Sequence, residues 1–79
     1  MLTLVFLGRL EDVAGGAERT IASVSRLADV FSALEPELVC ALQADRVKLA
    51  VNGALVSDPA MLILSDGDEL AFLPPVSGG

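Results

Sequence analysis

The sequence contains no histidine, tryptophan or tyrosine, and its only cysteine is Cys40. Without histidine the chain lacks the commonest general base and metal ligand at neutral pH. One cysteine excludes an intramolecular disulfide and cannot build a zinc site alone. Basic residues are also few: five lysines and arginines stand against eleven aspartates and glutamates, a formal net charge of −6. The five (Arg9, Arg19, Arg26, Arg46 and Lys48) are scattered, whereas nucleic-acid binding needs cations clustered against phosphates. The charge suits a basic protein partner, or a partner that holds an anionic substrate. No apolar run approaches the roughly 18 residues of a transmembrane helix. The run Leu2–Leu7 lacks the basic region that opens a signal peptide and ends at Gly8 and Arg9. With the single cysteine, this points to the cytoplasm. No glycine-rich phosphate loop is present, and Gly15–Gly16 lacks the strand-to-helix setting of one.

What is present is apolar. Hydrophobic residues make up 53% of the 79 residues. A chain this short buries only about 60% of the surface its unfolded form exposes, so it must pack one dense core and leaves apolar surface over for a partner. The run Leu2–Leu7 reads as a buried strand, Gly8 to Gly16 as a loop, and Glu18–Ala22 as a weakly patterned second strand. Ser25 is the expected helix N-cap. Leu27, Val30, Phe31 and Leu34 then follow at the spacing of one helical face. Pro36 ends that helix and begins a short further turn carrying Leu38, Val39 and Leu42. Val47–Val51 alternates as a strand, and Asn52–Gly53 predicts a type I′ hairpin turn with Leu55–Val56 returning. Pro59 to Leu64 is an apolar connection. Ser65-Asp66-Gly67-Asp68 is a turn, and Glu69–Leu73 is the last strand.

This order predicts an α+β chain of β-grasp type: a mixed sheet of about five strands with one main helix across one face. The first and last strands would lie side by side at its centre. A ferredoxin-like sandwich is the alternative, and it would need a second full helix. Alternation along the strands puts Leu2, Leu4, Phe6, Val47, Leu49, Val51, Leu70 and Phe72 under the helix. The opposite face carries Thr3, Val5, Leu7, Lys48, Ala50, Glu69, Ala71 and Leu73, with no helix to cover it. Val5, Leu7, Ala50, Ala71 and Leu73 are then expected to form an exposed apolar patch. Such a patch is either a protein interface or a tolerant surface, and its place beside the tail favours the interface.

The domain is expected to span residues 1–73, followed by an extended tail over residues 74–79. Pro74 and Pro75 each fix φ and remove a backbone donor, so the sheet cannot continue and the chain is held extended. Val76 and Ser77 complete the spacer. The last four residues reach roughly 13–14 Å when extended. Gly78 and Gly79 have no Cβ and can pass through a narrow channel. The tail's reactive group is the α-carboxylate of Gly79. As an anion it is a poor electrophile and must be activated, ordinarily by attack on the α-phosphate of ATP to give an acyl adenylate. A sulfur nucleophile would convert that adenylate to a thioester or thiocarboxylate, and an amine would convert it to an amide.

The segment Val51-Asn52-Gly53, with Leu64-Ser65-Asp66-Gly67-Asp68-Glu69-Leu70-Ala71-Phe72-Leu73-Pro74-Pro75-Val76-Ser77-Gly78-Gly79, resembles the small subunits of molybdopterin synthases. These are ubiquitin-like sulfur carriers of β-grasp fold, and the resemblance spans the whole chain. It implies that an ATP-dependent activating enzyme adenylates Gly79, after which sulfur is installed as a thiocarboxylate. The tail would then enter the pocket of a large synthase subunit. There its sulfur would attack cyclic pyranopterin monophosphate, building the molybdopterin dithiolene within a heterotetramer. No cofactor would be bound permanently; ATP would belong to the activating enzyme. Leu7 and Leu73 match positions where relatives often carry aromatic residues at the partner interface. The thiamine-pathway carrier resembles the chain in fold and in Gly-Gly but usually lacks the Pro-Pro-Val spacer.

Asp66, Asp68 and Glu69 lack the spacing of a calcium loop and are explained by a turn, so no metal is expected. Cys40 has no basic neighbour to stabilise a thiolate, which leaves it a packing or spectator role. Three rival functions remain: a sulfur carrier of another, thiamine-type pathway, a ubiquitin-like modifier forming isopeptides through Gly79, and an adaptor that binds through its sheet and makes no covalent use of the tail.

Overall fold

A computed structural model describes residues 1–44 and 46–75. The alternating apolar run at the start forms β1 (Leu2–Phe6), whose even-numbered side chains are buried. It is followed by α1 (Leu10–Ala14), β2 (Glu18–Ile21), α2 (Leu27–Ser32), α3 (Pro36–Leu42), β3 (Lys48–Val51), β4 (Ala54–Leu55), a 3₁₀ turn (Pro59–Met61) and β5 (Glu69–Leu73). The strands make one sheet in the order β2-β1-β5-β3-β4. β1 and β5 are parallel neighbours at its centre, and the other pairings are antiparallel. This is the expected β-grasp sheet, and its topology excludes the ferredoxin-like alternative.

The helical layer divides at Pro36 as expected, but the turn after it, α3, is no shorter than α2. The stretch after β2 splits into α2 and α3, because Pro36 occupies the first turn of α3 with Glu35 extended before it. A third short helix, α1, replaces the expected loop over Gly8 to Gly16. Its one turn is too short to show a period in the sequence. Leu10 anchors it in the core, Glu11 and Asp12 suit its positive end, and the amides of Gly15 and Gly16 close onto the Glu11 carbonyl. Ser25 is not the cap of α2. That position belongs to Arg26, which makes no side-chain cap bond, while the Ser25 carbonyl accepts the Leu64 amide at 2.8 Å.

The Asn52–Gly53 turn forms as expected, with φ of 51° and 86° at its two residues. It pairs Val51 with Ala54 and Ala50 with Leu55, so the returning strand starts one residue earlier than expected. Asn52 also ties the hairpin to β5. Its amide reaches the Glu69 carbonyl at 2.9 Å, its Oδ1 accepts from the Glu69 amide at 3.0 Å, and its Nδ2 donates to Asp68 Oδ1 at 3.0 Å.

The core lies between the sheet and the helices. Leu2, Leu4 and Phe6 of β1, Leu70 and Phe72 of β5 and Leu49 of β3 meet Val30, Leu34, Leu38 and Leu42. Burial of each large side chain is worth ~1.5–3 kcal/mol. Val47 and Val51, expected on this face, stay half-buried at its margin. The chain's three phenylalanines bind the layers together. Phe6 and Phe72 stack with centroids 5.7 Å apart, and Phe31 tilts onto Phe72 at 6.3 Å.

Candidate functional site

The root of the tail is held by the centre of the sheet. β5 runs between β1 and β3, and the Leu7 amide donates to the Phe72 carbonyl at 3.2 Å, extending the parallel pairing to the end of the strand. Leu73 lies opposite Lys48. Pro74 then rests against Gly8: a Cβ built at residue 8 would stand 2.9 Å from Pro74 Cγ, and Gly8 has a φ of +56°. Glycine meets both demands, positive φ and close approach. In sequence Gly8 reads only as a loop residue, since the contact joins residues at opposite ends of the chain. Pro75 closes a recess of ≈ 200 Å³ with Leu10, Val13, Ala41 and Val47 among its walls. The remaining expected tail residues, Val76, Ser77, Gly78 and Gly79, lie outside the described residues.

Pairing across the sheet lines up Val5 with Ala71, Ala71 with Ala50, and Ala50 with Leu55. One apolar row therefore crosses four strands of the uncovered face, with Leu7 and Leu73 beside it at the tail end. Leu7 is exposed, while Val5, Ala71 and Leu73 are half-buried. Ala50 corrects the expectation of an exposed patch residue: it is only 9% exposed, its single methyl lying on an inner strand between Ala71 and Leu55. Leu55, 71% exposed, belongs to the row and was not expected there. A two-residue turn at Asn52–Gly53 already implies the pairing of Ala50 with Leu55, so the signal was present in the sequence.

Charge is arranged around this face. Lys48 is exposed at the tail end, and Glu69 and the turn before it occupy the other. In that turn the hydrogen bond from Asn52, reinforced by the Ser65 amide, holds the Asp68 carboxyl below its ordinary value. Asp66 is lowered too, first by its hydrogen bond from the Met1 α-ammonium and then by Ser23. Both carboxylates serve the turn. Among the described residues, no three histidine, cysteine, aspartate or glutamate side chains come together to hold a metal ion. Nor is any helix among them long and apolar enough to cross a membrane. Cys40 is exposed on α3. As far as the described residues reach, the site is the root of the tail, Pro74 and Pro75, set on the central strands with a shallow apolar face alongside.

A β-grasp domain with this sheet order is ubiquitin-like in architecture. The ThiS family model matches residues 4–79, and the chain belongs to that family. It is 32% identical to the molybdopterin synthase sulfur carrier subunit of Escherichia coli (strain K12), with all of both chains covered. Among solved structures, the Haloferax volcanii HVO 2177 protein superposes with a TM-score of 0.74 at 29% identity, covering 99% of this chain and 85% of that one. A complex of subunits 1 and 2 of molybdopterin-converting factor from Helicobacter pylori 26695 contains a chain matched at TM-score 0.67 and 24% identity, with 99% and 97% covered. The H. volcanii small archaeal modifier protein 1 matches at 0.69 and 21%, with 95% and 97% covered. The last two likenesses are of fold.

Proposed function

We propose that this chain is the cytoplasmic sulfur-carrier subunit of a molybdopterin synthase. The observation that carries the reading is the full-length similarity to the E. coli sulfur carrier subunit, tail included. The Gly79 carboxylate attacks the α-phosphate of ATP on an activating enzyme, and pyrophosphate leaves. A sulfur donor then displaces AMP to leave a thiocarboxylate. That sulfur is the nucleophile toward cyclic pyranopterin monophosphate in the pocket of the large subunit, where two transfers complete the dithiolene. Pro74, Pro75, Val76 and Ser77 are the spacer, and Gly78 passes the channel. Val5, Leu7, Ala71 and Leu73, joined by Leu55, form the face on which the large subunit sits. The pairing of subunits 1 and 2 in the H. pylori complex supports such a partner.

The test is the mass of the C-terminal peptide after incubation with ATP, a sulfur donor and the cognate activating enzyme, with and without thiol alkylation. Replacement of one oxygen by an alkylatable sulfur is expected on Gly79. A peptide that stays a plain carboxylate ends the sulfur-carrier reading, and isopeptide conjugates to lysine then become the product to seek.

A further inference from the structure

We propose that a groove on the helical side of the domain, opening at the root of the tail, receives an acidic, leucine-rich segment of a partner protein. Leu27 and Phe31 lie on the inward stripe of α2, yet both remain half-buried. Between them and Val56 lies an open recess of ≈ 480 Å³. A second recess of ≈ 380 Å³ shares Leu27, Phe31 and Pro59 with the first and reaches Arg26. The recess closed by Pro75 shares Ala44 and Val47 with the first and reaches Arg9. The three follow one another from the tail to the start of α2.

Charge selects the occupant. Arg9 stands at one end and Arg26 at the other. These are two of the chain's five basic residues. The complement is therefore a run of apolar side chains flanked by carboxylates. A long surface groove open to solvent suits a peptide segment better than a small molecule, which favours an enclosed site. Because the groove begins at Pro75, the bound segment lies beside the tail but across the sheet from the apolar row. A partner can hold the domain here while the row stays free for another. Nothing in this inference depends on sulfur chemistry, and its failure would leave the proposed function standing.

The probe is a synthetic peptide of alternating glutamate and leucine, titrated into the isotopically labelled full chain and followed by amide chemical shifts. Shifts are expected at Leu27, Phe31 and Val56. In the Arg9→Glu/Arg26→Glu variant, binding should weaken about tenfold, with a similar trend as salt is raised. A lysine–leucine peptide should leave the groove unchanged, and so should a glutamate–serine peptide. The proposal is overturned if the shifts fall on Val5 and Ala71, if the lysine–leucine peptide binds as well, or if millimolar peptide moves nothing. Groove shifts that grow with protein concentration alone would assign the surface to a second copy instead, and would equally overturn it.

Discussion

Replacing Phe72 by alanine tests the architecture that presents the tail. Phe72 is fully buried on the central strand, one residue before Leu73, and its ring contacts both Phe6 and Phe31. Truncating a buried phenylalanine typically costs ~3–5 kcal/mol, including the ~0.5–1.5 kcal/mol that each aromatic pair adds. A domain of this length has a total stability of roughly 4–12 kcal/mol. Phe72→Ala should therefore lower the melting temperature by on the order of 20 °C and bring the protein near its threshold. Phe31→Ala, at a half-buried position, should cost only ~1–2 kcal/mol. Leu7→Ala on the open face should stay within ~0.5 kcal/mol of the parent. With no tryptophan or tyrosine to report by fluorescence, urea unfolding is followed by far-UV circular dichroism. The midpoint should move at constant slope. If Phe72→Ala cost no more than Phe31→Ala, the stacked core beneath β5 would be refuted, and with it the base assigned to the root of the tail.

Four further outcomes are expected. Leu55→Glu, and separately Leu7→Glu, should leave stability within ~0.5 kcal/mol and weaken binding of the large synthase subunit by about tenfold or more, read by calorimetric titration. Gly8→Val should slow adenylation of Gly79, measured by pyrophosphate release. Gly15→Val, which is also placed at positive φ but in open space, should cost similar backbone strain of ~1–3 kcal/mol without that loss of rate. Deleting Gly79 should abolish thiocarboxylate formation while binding through the sheet face persists, which separates a carrier from an adaptor. The lowered carboxyls of Asp66 and Asp68 contribute stability that is present above the ordinary carboxylate range and is lost as pH falls through their depressed values. Asn52→Gly keeps the turn and removes the largest cause at Asp68, so a carboxyl NMR titration should show that residue returning toward its ordinary value.

Much of this molecule was legible in sequence because its signals are local. Alternation along Leu2–Phe6 and Glu69–Leu73, the two positive-φ residues at Asn52–Gly53 and the proline at the start of α3 each act within a few residues. The order of elements then leaves few ways to close a sheet. The end of the last strand was legible for the same reason, since Pro74 and Pro75 each fix φ and remove a donor without reference to neighbours.

What the sequence left open depends on residues far apart along the chain. α1 exists because the core receives Leu10, and one turn is too short to announce itself by period. Ser25 lost the cap because its carbonyl was claimed by Leu64, thirty-nine positions away by number. Ala50 was expected to be exposed by alternation, but burial also depends on having a strand on each side, which only the pairing decided. The approach of Gly8 to Pro74 and the groove from Arg9 to Arg26 join segments that only the folded sheet brings together. Sequence by itself determined the strands, the hairpin turn and the break at Pro36, because those follow from each residue's own backbone preferences. The tertiary structure alone decided which apolar surface stays open and what the tail rests against, because exposure is a property of neighbours in space.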